Sequence, residues 1–158
     1  MKNANIGISE ENKQIITDQL SKILADEFLL YSKTLNAHWN IEGPDFHTVH
    51  VYFEKLYNDQ QGIVDTVAEK IRGMGHYVPA QLHKYLQLTH LSEQPLDKND
   101  SQSLFAELLR DHESIIIFLR ENIKPMADKL KAEGISDYVT GLMEYHEKTA
   151  WMLRAHLN

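Results

Sequence analysis

Cysteine is absent from the 158 residues, which removes disulfides, thiolate metal sites and cysteine nucleophiles from consideration. Long apolar runs are missing too. The longest purely aliphatic and aromatic stretch is Ile115–Leu119, far short of the roughly 20 residues a membrane-crossing helix needs. Met1–Gly7 contains no apolar segment, so no signal peptide is read and a cytoplasmic location is the default expectation. There is no basic excess: 16 Lys and Arg against 23 Asp and Glu give a net charge of −7 with histidine neutral. That balance disfavours non-specific attraction to nucleic acid or anionic lipid. Internal repeats and low-complexity tracts are lacking as well. What remains is a length that suits one domain with a core of ordinary size.

The apolar residues recur at helical spacing almost throughout. Ser9 is a candidate cap, and Glu10 and Glu11 suit the positive end of a first helix. That helix carries Ile16, Leu20, Ile23, Leu24, Phe28, Tyr31 and Leu35 to about residue 38. Glu42-Gly43-Pro44 makes a turn, with proline at the first position of a second helix that runs to about Arg72 and stops at Gly73-Met74-Gly75. A short helix is expected over 80–88, then a polar loop over 89–100 containing Pro95. A third long helix starts near Ser101 and keeps its period to about Ala132. Pro125 interrupts it, predicting a kink or two abutting helices. Glu133-Gly134 is read as its stop and Ser136 as the next cap, with a last helix reaching His156. The expected architecture is all-α: a four-helix bundle with a short extra helix in the connection between the second and third long helices. It forms one domain over 1–158, with 1–8 as a flexible tail. His76, His83 and His90 read as surface residues.

One stretch, His38 to Glu69, carries the chemistry. His38, His50, Glu54, Asp65 and Glu69 are a donor set of imidazole and carboxylate suited to Fe or Zn. On one helix, His50, Glu54, Asp65 and Glu69 fall at about 0°, 40°, 60° and 100° around the axis. They share a stripe but not a place, since Glu54 and Asp65 lie about 16 Å apart along the helix. A single metal site spans only about 4–5 Å. Two copies crossing antiparallel near residue 60 would bring His50 and Glu54 of one against Asp65 and Glu69 of the other, building the site twice. Gly62 sits near that crossing, where a close backbone approach gives a mid-helix glycine its reason. Taken singly, His38 reads as a core histidine and each carboxylate as a solvated charge. The conjunction points instead to a metal.

The run His-Trp-Asn-Ile-x-Gly-x-x-Phe-x-x-x-His from His38 to His50, followed by Glu54, Asp65 and Glu69, resembles the Dps family of ferritin-like proteins. The helix layout extends the resemblance over essentially the whole chain. It implies a homo-oligomeric dodecamer with ferroxidase centres between two-fold-related subunits. There His38, His50 and Glu54 would come from one chain and Asp65 and Glu69 from its partner. It also implies Fe(II) and hydrogen peroxide as substrates, a ferric mineral stored in the cage, and protection against oxidative damage, with Zn as a substitute metal. Trp39 would intercept stray oxidising equivalents, and Asp137 and Glu147 would line acidic three-fold pores. One departure is that the family more often has Asp at the position of Glu54. Its extra methylene still reaches a metal, directly or through water. The Glu-x-x-His pairs of bundles with an internal di-iron site are absent here. The alternative function is that of a DNA-binding, nucleoid-protecting protein with little ferroxidase role. The first twelve residues hold one lysine and two glutamates, and the segment after Trp151 holds one arginine. Phosphate neutralisation needs several basic groups, so direct DNA binding is not expected.

Overall fold

The computed structural model describes residues 4–94 and 98–157. Five helices follow one another: α1 (Glu10–Asn40), α2 (Phe46–Gly73), α3 (Leu82–Leu88), α4 (Ser101–Asp128) and α5 (Glu133–Ala155). The four long helices form a bundle, and α3 lies in the α2–α4 connection against α1. The expected all-α architecture with a short extra helix is the one observed. Pro95 of the expected loop, and residues 1–3 of the expected tail, lie outside the described residues. Ala4 is held by the buried Lys13, whose Nζ donates to its carbonyl at 2.6 Å. Among the described residues no helix is long and apolar enough to cross a membrane.

Local chemistry sets the helix ends. Ser9 caps α1, its Oγ accepting from Asn12 N–H at 3.2 Å. Asp100 caps α4 by accepting from Ser103 N–H at 2.9 Å. This bond, with the Ser103 hydroxyl, holds the Asp100 carboxyl below its ordinary value of 3.8. Two boundaries differ from the sequence reading. Pro44 does not begin α2. Gly43 adopts φ +130°, and a turn closed by Phe46 N–H to the Gly43 carbonyl precedes the helix. Nor does Glu133-Gly134 stop α4. Lys131 takes the left-handed conformation at φ 59°, completing the reversal three residues earlier, so Glu133 and Gly134 lie inside α5. Ser136 therefore caps nothing. Its hydroxyl donates to the Ile123 carbonyl at 2.9 Å, tying α5 to α4. α4 runs unbroken through Pro125 and ends three residues later, so there are not two abutting helices.

The core is continuous from Ile16, Leu20 and Leu24 on α1 through Phe53 and Ile71 on α2 to Phe105, Leu108, Ile115 and Leu119 on α4. Polar ties cross it at the edges. Lys33 on α1 meets Glu107 at 2.9 Å and Asp111 at 2.5 Å on α4, and donates to the Ser92 carbonyl at 2.9 Å. Burial raises the Asp111 carboxyl above its ordinary value even beside that ammonium. Asp26, buried on α1, accepts from the Thr89 hydroxyl and the His90 N–H, each at 2.7 Å. The His90 ring adds an Nδ1 contact to Asp26 at 3.0 Å. His90 is at the surface, as expected, and is also tied down by Asp26. Glu42 N–H donates to the Asn99 carbonyl at 2.9 Å in a short parallel bridge. Since Glu42 and Asp100 each stand just before a long helix, α2 and α4 start from the same end of the bundle.

Candidate metal centre

His38 lies in the last turn of α1 and His50 near the start of α2. The 41–45 turn folds the second helix back on the first, and the two imidazoles stack with centroids 3.8 Å apart at 21°. Their hydrogen bonds are reciprocal. His38 Nδ1–H donates to the His50 carbonyl at 2.9 Å, and His50 Nδ1–H donates to the His38 carbonyl at 2.8 Å. A carbonyl only accepts, so each Nδ1 carries a proton and Nε2 is the nitrogen left to offer a lone pair. This is the orientation that a histidine binding a metal through Nε2 needs, fixed by bonds on the far side of the ring. The His38 carbonyl belongs to the terminal set of α1 that lacks intrahelical partners. Glu42 N–H, four residues on, is already engaged by Asn99. His50 therefore also caps α1. Phe46 stacks on His50 at 5.1 Å and 29°, and Tyr57 stands edge-on to His38 at 5.1 Å and 73°.

Glu54 is exposed one turn after His50. Asp65 and Glu69 are exposed farther along the same helix. Among the described residues no ion pair engages these three carboxylates, and no group of three or more metal-ligating side chains converges within the chain. The structure thus brings together His38 and His50, while Glu54, Asp65 and Glu69 stand exposed farther along α2. Gly62 stands between Glu54 and Asp65. A Cβ added there would meet nothing within 4 Å, so the protomer itself gives no reason for the missing side chain. A shallow groove beside it is lined by Asn58, Gln61, Asp65, Ala68, Val78 and Tyr85. Trp39 is 68% exposed and makes no ring contact with either histidine among the described residues. Asp137 is exposed on α5 beside Asp59 and Tyr138, and Glu147 is paired with Arg120 of α4.

Two features escape the sequence reading. Tyr57 follows His50 by two helical turns, which puts both on one face, but its contact with His38 exists only because α1 and α2 pair. The second lies in the core. Glu27 on α1, His112 on α4 and His146 on α5 are completely buried. His146 Nε2 meets Glu27 Oε1 at 2.8 Å, and the two histidine Nδ1 atoms lie 2.8 Å apart. Burial first, then the neighbouring His146, pushes the His112 imidazole well below its ordinary value of 6.5, so it is neutral in the fold. A signal is present in the sequence: Glu27 sits between Ile23 and Leu30 on the apolar stripe of α1.

A ferritin-like domain family matches residues 17–158. An uncharacterized low temperature-induced protein of Nostoc sp. is 36% identical over 157 residues, covering 99% of this chain and 88% of that protein. DNA protection during starvation protein 2 of Bacillus anthracis is 33% identical over 147 residues, covering 93% and 99%. Among solved structures, a Dps protein from Vibrio cholerae O1 superposes with a TM-score of 0.92 at 28% identity, covering 100% of this chain and 98% of that one. Sequence relatives and superposed structures agree along nearly the full length, and the chain belongs to the Dps family of ferritin-like proteins.

Proposed function

We propose that the chain is a ferroxidase that assembles into a homo-oligomeric cage, by resemblance a dodecamer. It oxidises Fe(II), preferably with hydrogen peroxide, at centres shared by two-fold-related copies, and stores the ferric product inside. The observation that carries this reading is the reciprocal bonding of His38 and His50, which fixes both Nε2 lone pairs for a metal before any metal arrives. Iron handling at the family level supports it: the Vibrio cholerae homologue is described as one of the ferritin-like diiron-carboxylate proteins.

His38, His50 and Glu54 of one copy and Asp65 and Glu69 of another would bind the iron. The imidazoles accept Fe(II) at neutral pH. The hard carboxylate oxygens favour Fe(III) more strongly, which assists loss of the electron. Two Fe(II) supply two electrons, and with two protons these reduce one peroxide to two waters. Zn(II) suits the same donors but cannot change its charge, so it would compete and inhibit. The open side of Gly62 and the exposed apolar Val51 on α2 suit a second copy at this face. Trp39, next to His38, is the candidate interceptor of stray oxidation. Asp137 and Glu147 are candidates for the iron entrance, where Arg120 would temper the charge of Glu147.

The names of the Bacillus anthracis and Helicobacter pylori relatives favour a second reading, protection of DNA. With a net charge of −7, consumption of iron and peroxide explains protection better than direct coating of the duplex. The test is anaerobic loading with Fe(II) followed by peroxide titration, with particle mass measured alongside. Two Fe(II) should be consumed per peroxide, and Asp65→Ala should abolish the rapid phase while leaving the fold helical. Unchanged kinetics in Asp65→Ala would remove the shared centre. DNA retained by iron-free protein at low salt would restore the binding function.

A further inference from the structure

Ferroxidase chemistry at this centre meets one difficulty. Reduction of a peroxide to water takes two electrons. A centre holding a single Fe(II) has only one, and a one-electron cleavage of the O–O bond releases hydroxyl radical. The second electron has to come from the nearest oxidisable side chain. Within the chain, Trp39 is exposed and has no ring contact with either histidine among the described residues. The oxidisable ring in direct contact with the centre is Tyr57, which packs edge-on to His38 at 5.1 Å. Behind Tyr57 stands Tyr31 on α1, at 6.5 Å and 69°. Then come Phe28, at 6.3 Å from Tyr31, and Tyr85, at 4.7 Å from Phe28. These separations lie within, or at the edge of, the range of direct aromatic contact.

We propose that Tyr57 and Tyr31 form a one-electron reservoir for the centre, filling the deficit whenever peroxide meets a site that holds one Fe(II). The reservoir rests on the ferroxidase reading and deepens it. The balance closes. Fe(II) gives one electron and the Tyr57 phenol the other. The O–O bond breaks, and the phenolic proton with one proton from solvent completes two waters. Fe(III) and a neutral Tyr57 phenoxyl radical remain. Tyr31 then passes an electron and its own phenolic proton to Tyr57, so the radical moves one residue inward, away from the peroxide. The next Fe(II) to arrive returns an electron, a proton is taken up from solvent, and the phenol is restored. Two irons per peroxide are thus consumed even when they arrive one at a time.

The chain of rings also says where the hole stops. Phe28 has no phenolic proton to lose, and its ring is far harder to oxidise than a phenol. Tyr85 lies beyond that barrier, its ring in contact with Phe28 and, among the described residues, with neither Tyr31 nor Tyr57. The reservoir therefore has two members and a closed inner end. Both members are half-buried, which keeps the radical from open solvent.

The experiment loads the assembled protein anaerobically with one Fe(II) per chain, mixes it with one equivalent of hydrogen peroxide, and freezes it within milliseconds for electron paramagnetic resonance. Wild type should give an organic radical whose hyperfine splitting collapses when ring-deuterated tyrosine is incorporated. Tyr57→Phe, which keeps the ring and its packing, should lose that signal severalfold and raise the yield of spin-trapped hydroxyl radical severalfold. Tyr31→Phe should keep a tyrosyl radical with altered line shape and faster decay, and Tyr85→Phe should leave the signal as in wild type. A radical that persists in Tyr57→Phe, or one that collapses only with deuterated tryptophan, overturns the proposal and hands the role to Trp39. Fast peroxide-driven iron oxidation with no protein radical in wild type overturns the reservoir alone. If wild type fails to oxidise Fe(II) with peroxide at full loading, the ferroxidase reading falls and the reservoir with it.

Discussion

Replacing His50 by phenylalanine separates the two jobs assigned to its ring. Phenylalanine preserves the stacking on His38 and Phe46, so the packing contribution is nearly constant. Two things are lost: the Nδ1–H bond to the His38 carbonyl and the Nε2 lone pair. The carbonyl has no replacement, because Glu42 N–H is bonded to Asn99. An unsatisfied buried polar group costs about 1–3 kcal/mol. The bond is only partly buried, so the lower half of that range applies, about 1–2 kcal/mol. For a chain of this size each kcal/mol shifts the melting temperature by roughly 2–4 °C. A destabilisation of about 2–8 °C is therefore expected in metal-free protein, at fixed protein concentration, by circular dichroism. Zn(II) affinity at the centre should fall by at least the roughly 10–100-fold that even indirect changes to a ligand produce. A direct check is ¹⁵N NMR of the metal-free protein, which should show Nδ1-protonated rings at His38 and His50. Nε2-protonated rings, or a variant that melts with wild type and binds Zn(II) as tightly, would refute the pre-set tautomer.

Gly62→Trp should leave the isolated chain helical, since the space outside Gly62 is open, but should lower particle mass and iron oxidation together. Full-sized particles from this variant would remove the crossing at residue 60. His112 is held neutral by burial, whereas in the unfolded chain it takes up a proton below about pH 6.5. The unfolded state then binds more protons, so stability falls as the pH drops below that value. His112→Leu cannot protonate and should flatten this dependence by up to about 1.4 kcal/mol per pH unit between about pH 6.5 and 5; identical slopes would show that other groups set it. Lys33→Met leaves Glu107 and Asp111 facing each other without their cation, in a site that is largely closed to solvent. The expected loss is about 3 kcal/mol in urea unfolding, and a loss below about 1 kcal/mol would show that the triad is solvated.

The bundle is legible because its information is periodic. Stripes such as Ile16, Leu20, Ile23 and Leu24 announce a buried helix face whatever packs on it. Ser9 is legible as a cap because its bond to Asn12 is equally local. Punctuation that depends on the route of the chain is not. Pro44 suits a helix start in isolation, but the Gly43 turn needed to bring α2 back onto α1 leaves it outside. Gly134 suits a stop, yet the reversal is made by Lys131, a residue type with no preference for that conformation. At the centre, the donor types and the stripe can be read from spacing. The tautomers cannot, because they depend on carbonyls twelve residues away. The contacts of Tyr57 with His38 and of His146 with His112 join different helices, and no pattern within one helix encodes them.

The α2–α4 connection acts as a strap fastened at three points. Asp26 grips Thr89 and His90, Lys33 holds Ser92, and Glu42 is tied to Asn99. The last fastening sits in the very turn that joins the helices of His38 and His50. Long connections ordinarily tolerate added residues, but extra length near Thr89–Ser92 or Asn99 would slacken the strap. The disturbance would then reach the stacked imidazoles of His38 and His50 through Glu42, without touching either ring.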